Sequence, residues 1–428
     1  MTREDAWIDN LVATQRPGWS LDSPFYTDPA IFRRDRQRVF ARQWIMAGHI
    51  AQIPGRGDYF LFDIAGDNLI LIRAQDDSIH ALHNVCRHRG SRVLLEPSGN
   101  VKSLTCTYHG WCYAQDGSLR AAPRMPDTFD PGCFGLRRSH VEILEGLIFI
   151  CLAEQDPPDF TRVGEGLAPF LRLHDSAATR VARRQIFPVT ANWKLLVENY
   201  LECYHCKPAH REYCEVEIKA EKMGDGNAAG LAAYERRMAE WRPGAEARGT
   251  WLPEYNSNSE VYPDEPFFGA AYRAPLRASH QTGSQDGQSV APLLAGFSDH
   301  DGGETALGAG PCTYMLAYED YLGFFQFIPR DAGHSDMIVT WLVAAKAVKG
   351  RDYDPERVAW LWRVTSEQDK VIIEHNAAGV ASPAYTPGPP SLLEGDVEAF
   401  RAWYLATIAP DTAPPASEPG GRGRYFPG

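Results

Sequence analysis

The chain has 428 residues, 44% of them hydrophobic and 23% charged, and 43 Lys and Arg against 55 Asp and Glu give a formal charge of −12. That length has room for two domains with substantial cores. The acidic balance excludes a nucleic-acid binder, whose phosphates require a basic surface, and a partner of anionic membranes. It serves solubility and leaves room for a cationic substrate or a basic partner. The opening residues MTREDAWIDNL have no apolar signal core, and no later run is long enough to span a bilayer, so a cytoplasmic location is expected. The nine cysteines are expected to stay reduced, as metal ligands or small core residues rather than disulfides.

In chain order, PAIFRRDRQRVFARQ at 29–43 spaces its apolar residues for a helix. Residues 1–43 are expected to form an N-terminal helical segment packed on the larger, C-terminal domain. From residue 44 the character changes. WIMAGHIAQI, DYFLFDI, NLILIRA, IHALHNV and finally GLIFICLA are short β-rich runs punctuated by PGRG, AGD and QDD. They predict a small all-β domain over 44–155. EQDPPDF at 154–160 reads as a linker, and 156–428 as a second domain that mixes helix and strand.

In that second domain, TANWKLLVENYLECYHC at 190–206 reads as a helix with Thr190 as its N-cap. Residues 276–310, rich in Gly, Ser, Asp and His, read as a long mobile loop or lid. TYMLAYE, YLGFFQFIP and DMIVTWLVAA read as antiparallel strands. Residues 354–380 read as a long helix with Pro355 in its first turn and Gly379 at its end. A last helix, VEAFRAWYLATI, follows the break at TPGPPS. There is no internal repeat and no nucleotide-binding glycine fingerprint.

Two short pairs stand out between the β runs: Cys86 and His88 in CRHRG, and Cys106 and His109 in CTYHGW. A tetrahedral zinc accepts Cys₂His₂. Here, however, each loop offers one sulfur and one nitrogen. A Rieske [2Fe–2S] centre takes two Cys on one iron and two His on the other, so both loops must reach both irons. Gly90 and Gly110 supply tight turns, and Arg87 and Arg89 put positive charge beside a cluster that is negative when reduced.

A second set lies in NWKLLVENYLECYHCKPAH at 192–210. On a helix Glu202 and His205 share a face. His210 would fall about 140° from His205 on an unbroken helix, so the two converge only if the helix breaks between them, and Pro208 is expected to break it. Cys203 and Cys206 read as small buried residues. In the 354–380 helix, Val358, Leu361, Trp362, Thr365, Ile372 and Asn376 form an apolar stripe, and Asp369 falls on it. A charge there is costly unless it is paired or metal-bound. Glu367 and Glu374 lie off the stripe. Two histidines and one carboxylate make the facial set that leaves positions open on Fe(II).

C-x-H-(17)-C-x-x-H with RHRG and YHGW resembles the Rieske domain of the Rieske non-haem iron oxygenases, and the resemblance to their α-subunits extends over about residues 25–405. It implies an α+β architecture: an all-β Rieske domain and a helix-grip catalytic domain, a curved antiparallel sheet packed by helices. It implies that Cys86, His88, Cys106 and His109 hold the [2Fe–2S] cluster and that His205, His210 and Asp369 hold a mononuclear Fe(II). It also implies a homotrimer served by a separate NAD(P)H-dependent flavin/iron–sulfur reductase. In the family an Asp usually joins the Rieske histidine of one subunit to an iron-ligating histidine of its neighbour. Here the pair would be His109 and His205, and Glu202 stands in the Asp position. Glu in ECYHC resembles the branch that oxidises quaternary ammonium compounds: glycine betaine, stachydrine, carnitine and choline.

A quaternary ammonium is held by aromatic faces. Candidates are Trp251, Tyr255, Tyr262, Phe267, Phe268, Tyr272, Tyr314, Tyr321, Phe324, Phe325 and Phe327, with strand alternation placing Phe325 and Phe327 on one face and Phe324 on the other. N-methyl hydroxylation would release formaldehyde. The alternatives are an arene dioxygenase and, in another class, a non-catalytic Rieske electron carrier.

Overall fold

The computed structural model describes residues 2–223, 228–257 and 268–410. The chain divides into two compact units: Phe40–Pro158, and a discontinuous unit formed by the stretches before residue 40 and after residue 158.

The larger unit begins with α1 (Arg3–Thr14), α2 (Pro24–Thr27) and α3 (Pro29–Asp35). Thr2 and Asp5 close a reciprocal capping box on α1, which satisfies amide groups the helix itself cannot. Asp28 and Pro29 start α3 in the same economical way.

The smaller unit follows. Its strands are β1 (Ile45–His49), β2 (Asp58–Ile64), β3 (Asp67–Arg73), β4 (Ile79–His83), β5 (Ser98–Asn100), β6 (Leu104–Thr105), β7 (Cys112–Tyr113), β8 (Leu119–Ala121), β9 (Arg138–Leu144) and β10 (Leu147–Cys151). They form an antiparallel sheet in the order β1-β10-β9-β4-β3-β2-β5 and a small sheet β6-β7-β8. Ile70, Ile72 and Leu82 from the large sheet pack with Leu104, Trp111 and Tyr113 around the small one, and this core also takes in Cys86 and Cys106.

The chain then returns to the larger unit with α4 (Thr161–Leu173), β11 (Thr179–Val189), α5 (Trp193–Tyr200), α6 (Cys206–Ala209), α7 (Arg211–Val216), α8 (Lys219–Met223) and α9 (Ala228–Arg248). Next come β12 (Tyr255–Asn256), β13 (Gly269–Pro275), β14 (Gly303–Ala309), β15 (Thr313–Ala317), β16 (Leu322–Pro329) and β17 (Ser335–Ala344). The unit ends in α10 (Pro355–Val380) and α11 (Gly395–Ile408). One curled antiparallel sheet runs β11-β17-β16-β15-β14-β13-β12. Strands β13 to β16 are buried along their whole lengths, as expected of a sheet covered on both faces. Helix α10 packs on β11 and β17 and against α5, α6 and α7. The fold is therefore the α+β arrangement of an all-β unit and a sheet-and-helix unit.

A buried polar hub fixes α5. The Asp35 carboxylate accepts from Lys194 Nζ (2.6 Å), Trp193 Nε1 (3.0 Å) and Tyr404 Oη (2.7 Å). Neither Asp35 nor Lys194 has exposed side-chain surface. Removing one partner of such a pair costs about 3–5 kcal/mol, because the other charge stays buried.

Three sequence expectations change here. The helix expected over 190–206 is interrupted. Asn192, not Thr190, caps α5: its side-chain oxygen accepts from Lys194 N, while Thr190 N is taken by Glu374. The helix stops at Tyr200, and Pro208 lies inside the short α6, where a first-turn residue needs no amide donor. Secondly, residues 276–302 are not a loose lid. The buried Asp320 accepts from Thr282 Oγ1 (2.6 Å) and Val290 N (2.8 Å), and Tyr321 Oη donates to Gly283 O (2.7 Å). Leu294 and Phe297 are buried, and the segment ends in β14. Thirdly, Cys203 and Cys206 are joined as a disulfide, with Cα atoms 4.8 Å apart, whereas reduced cysteines were expected. The turn after α5 brings the two sulfurs together. Among the described residues no helix is long and apolar enough to cross a membrane.

Candidate metal centres

The two Cys/His loops of the smaller unit share one design. Gly90 N bonds back to Cys86 O, and Gly110 N to Cys106 O, each at 3.0 Å. Cys86 N and Cys106 N donate to Ser91 O and Trp111 O, closing each loop at its base. Gly90 and Gly110 have φ of +80° and +73°, a conformation that favours glycine. A Cβ on Gly90 would meet nothing within 4 Å, so backbone conformation and not crowding selects glycine there.

Both cysteines are buried, and the Cys86 sulfur lies 3.2 Å from Tyr113 Oη, which also accepts from Arg87 N at 3.0 Å. The His88 and His109 rings meet edge to face, 4.6 Å apart. Trp111 stacks flat on His88 at 5.0 Å and is itself braced by Phe129 and Phe134. Among the described residues, the one set of three His, Cys, Asp or Glu donors that closes to within 4.8 Å lies elsewhere, so no three of these four groups surround a single ion. Two sulfurs and two nitrogens spread over a wider span suit a two-iron cluster better than one tetrahedral zinc.

The compact set is His205, His210 and Asp369. His210 Nε2 lies 3.0 Å and His205 Nε2 3.5 Å from Asp369 Oδ1. The two rings stand 5.0 Å apart and nearly perpendicular. Each ring is aimed through its other nitrogen. Glu202 Oε1 holds His205 Nδ1 at 2.5 Å, and Gln368 Oε1 holds His210 Nδ1 at 2.9 Å, with Gln368 Nε2 anchored on Glu212 at 2.8 Å. Donating from Nδ1 to these oxygens fixes the tautomer and leaves both Nε2 atoms for the shared centre.

Glu202 and His205 meet, but not as neighbours on a helix face. The Glu202 carboxylate accepts from the backbone amides of Tyr204 and His205, so it caps the turn that leads into α6. That capping competes with continuation of α5. Burial works against a charged His205, yet the bonds to Asp369 and Glu202 keep a proton on it up to about 10. Burial likewise opposes ionisation of Asp369, but the two imidazoles outweigh it and bring the carboxyl down to about 2. Such a site stabilises positive charge, and two oriented imidazoles with one carboxylate fit a divalent iron.

Asp369 does lie on the inward side of α10, with 18% of its side chain exposed. The stripe continues through the buried Ile373, however; Ile372 is half-buried and Asn376 exposed. Glu367 and Glu374 pair with Arg363 and Lys370, off that face.

The three residues border a cavity of about 760 Å³, counting its open mouth. Six aromatic side chains line it: Tyr200, Tyr213, Tyr272, Phe325, Phe327 and Trp362. The sheet register explains the choice. Tyr272 pairs with Ala306 and Ala306 with Leu316, and all three face the cavity, as do Phe325 and Phe327 two residues apart on β16. Of the other sequence candidates, Tyr314 stacks behind Tyr200 at 4.1 Å. Trp251, Tyr255, Phe268, Tyr321 and Phe324 are not among the lining residues, and Tyr262 and Phe267 lie outside the described residues. Sequence reasoning missed Tyr200, Tyr213 and Gln368 and took Trp362 for core. Only Gln368 left a signal, as the residue beside Asp369.

Two family models match the chain: the Rieske [2Fe–2S] domain over residues 43–137, and the ring-hydroxylating α-subunit catalytic domain over 172–409. The chain belongs to the oxygenase subunits of the Rieske non-haem iron oxygenases. It carries a [2Fe–2S] domain and a catalytic domain that binds mononuclear iron, and the electron-carrier alternative gives way to this. It is 33% identical over 413 residues to the glycine betaine monooxygenase oxygenase subunit of Chromohalobacter salexigens, covering 94% of this chain and 89% of that one. It is 35% identical over 213 residues to the carnitine monooxygenase oxygenase subunit of Escherichia coli, covering 47% of this chain and 55% of that one. A solved quaternary ammonium Rieske monooxygenase has the same fold, with a TM-score of 0.68 at 21% identity, covering 94% of this chain and 97% of that one.

Proposed function

We propose that this oxygenase demethylates a quaternary ammonium compound of the betaine type. The observation that carries the reading is the cavity, where six aromatic faces border the His205, His210 and Asp369 set. A quaternary nitrogen has no N–H to donate, so aromatic faces are its natural hosts, and each contact is worth about 0.5–2 kcal/mol. Relatives named for glycine betaine and carnitine oxygenation support the same class.

In this reading Cys86 and Cys106 hold one iron of the cluster and His88 and His109 the other, while His205, His210 and Asp369 hold the mononuclear iron. Bound there, iron would supply the binding and reduction of dioxygen. The chain's own residues do the rest. Glu202 and Gln368 keep the imidazoles aimed, and the aromatic walls hold an N-methyl group toward the metal ligands and keep water off it. Glu202 also links His205 to the electron supply, which reaches it from the His109 side of a neighbouring copy in a homotrimer. A separate NAD(P)H-dependent flavin/iron–sulfur reductase provides the electrons. One O₂, two electrons and two protons convert an N-methyl group to N-hydroxymethyl and water. The N–CH₂OH bond then breaks, giving formaldehyde, a tertiary amine and a proton.

The test is formaldehyde release from glycine betaine, carnitine and stachydrine by iron-loaded protein with an electron source. Formaldehyde in amounts matching O₂ consumed supports the reading. A cis-diol from arenes, with no turnover of any betaine, rejects it in favour of arene dioxygenation.

A further inference from the structure

We propose that Lys219 recognises the carboxylate of the substrate, so that the cavity selects a zwitterion with an anionic end over a purely cationic ammonium compound such as choline. This deepens the substrate reading above and rests on it.

Lys219 opens α8 and is the one side chain with a fixed positive charge among the described residues lining the cavity. Only 8% of its side chain is exposed. An ammonium has three N–H donors. Glu304 Oε1 takes one and is the only hydrogen-bond partner of Lys219 among the described residues. The remaining donors sit at the wall of a largely apolar cavity, where an unpaired buried donor costs about 1–3 kcal/mol. The nitrogen lies 5.9 Å and 6.0 Å from the ring centres of Tyr213 and Tyr272, but a ring face does not replace a hydrogen-bond acceptor. The position calls for an anion.

The groups behind Lys219 keep it ready for one. Burial opposes its charge, yet the Glu304 carboxylate outweighs this and holds it protonated. Glu217 lies beside this pair, fully buried, with Tyr318 Oη on its Oε1 at 2.9 Å. Burial first, then the charge of Glu304, push Glu217 well above the usual carboxylate range.

Lys219 and the metal-ligand set share one cavity wall. Tyr213 lies with its ring centre 6.4 Å from that of His210 and 5.9 Å from Lys219 Nζ. One tyrosine ring thus spans the gap from a metal ligand to the lysine. A betaine with a methyl group at the His205, His210 and Asp369 end can turn its carboxylate toward the lysine within the same cavity. Lys219 touches the substrate without touching the reacting atoms, so its role is in specificity.

Calorimetric titration of the iron-loaded, full-length protein tests this. The ligands are glycine betaine, its methyl ester, which keeps the ammonium but removes the charge of the acid, and choline. Glycine betaine should bind at least tenfold more tightly than the ester or choline. Equal affinity for acid and ester overturns the role of Lys219 while leaving the ammonium reading intact. Failure of all three to bind overturns both. The double variant Lys219→Met/Glu304→Gln avoids leaving a buried carboxylate without its ammonium. It should weaken glycine betaine at least 30-fold, raise KM far more than it lowers kcat, and change ester affinity less than threefold. Unchanged betaine affinity overturns the proposal. If the double variant loses iron or its cooperative melt, the acid-against-ester comparison on the unaltered protein decides.

Discussion

The cluster loops of the smaller unit and the His205, His210 and Asp369 set of the larger unit both gather donors, but by opposite routes. Each cluster loop is closed by its own backbone, Gly90 to Cys86 and Gly110 to Cys106, and both sit in one short stretch of chain. The second set joins residues 159 positions apart, and side chains from three further places aim it: Glu202, Gln368 and, behind Gln368, Glu212. A site closed by local backbone depends on little beyond its loops. A site assembled by side chains inherits every weakness of the fold that carries them.

Separate failure is the sharpest test of that contrast. Asp369→Ala should abolish the mononuclear iron and lower turnover at least 1000-fold, with the cluster's visible absorption unchanged. Cys106→Ser should do the reverse, removing the cluster absorption and leaving the other iron. Metal analysis with a visible spectrum reads both, and loss of both centres in either variant would break the comparison. Glu202→Gln should keep both metals and lower turnover about 100-fold, since the amide can still cap the turn but no longer presents a charged acceptor to His205. Unchanged turnover would remove Glu202 from the electron link.

Gln368→Leu frees His210 Nδ1 from its acceptor and should weaken iron binding by about 10–100-fold, measured by competition with a chelator. Equal affinity would show that α10 packing alone aims the ring. The smallest effect concerns stability only and touches neither centre. Burial, with the nearby Arg273 charge, pushes the His174 imidazole down to about 3 while it bonds Tyr318 O and Thr305 Oγ1. The unfolded chain binds that proton at the ordinary histidine value and the folded one does not, so stability is present above about pH 6.5 and lost as pH falls toward 3. The loss is on the order of 5 kcal/mol. His174→Gln should flatten this slope in chemical denaturation between pH 7 and 4, and an unchanged slope would assign the acid sensitivity elsewhere.

The same contrast decides what was readable in the amino-acid sequence. Cys86, His88, Cys106 and His109 are legible because loop spacing and loop geometry are the same information. His205 and His210 are legible as a pair, and Asp369 as a charge on an apolar stripe, though the stripe runs through Ile373 and not Ile372. The chain first leaves the helix at the end of α5, before His205, because the Glu202 carboxylate captures the amides that a continuing helix would use; between the two histidines α6 ends at Ala209, one residue past Pro208, where a break is expected. Lys219, Tyr200 and Tyr213 carry no periodic signal. They face the cavity only because α5, α7 and α8 fold back over the sheet. The 276–310 segment misled because its composition is that of a lid, whereas Asp320 and Tyr321, far along the chain, tie it down.

The Asp35 hub has a consequence for synthesis. Asp35 leaves the ribosome well before Lys194, its partner 159 residues on, and before Tyr404, 369 residues on. The intervening Phe40–Pro158 unit is continuous, so all of its residues are made while the first helices still wait for their partners. In a nascent chain stalled shortly after residue 158, that unit is complete in sequence while Asp35 still lacks both Lys194 and Tyr404.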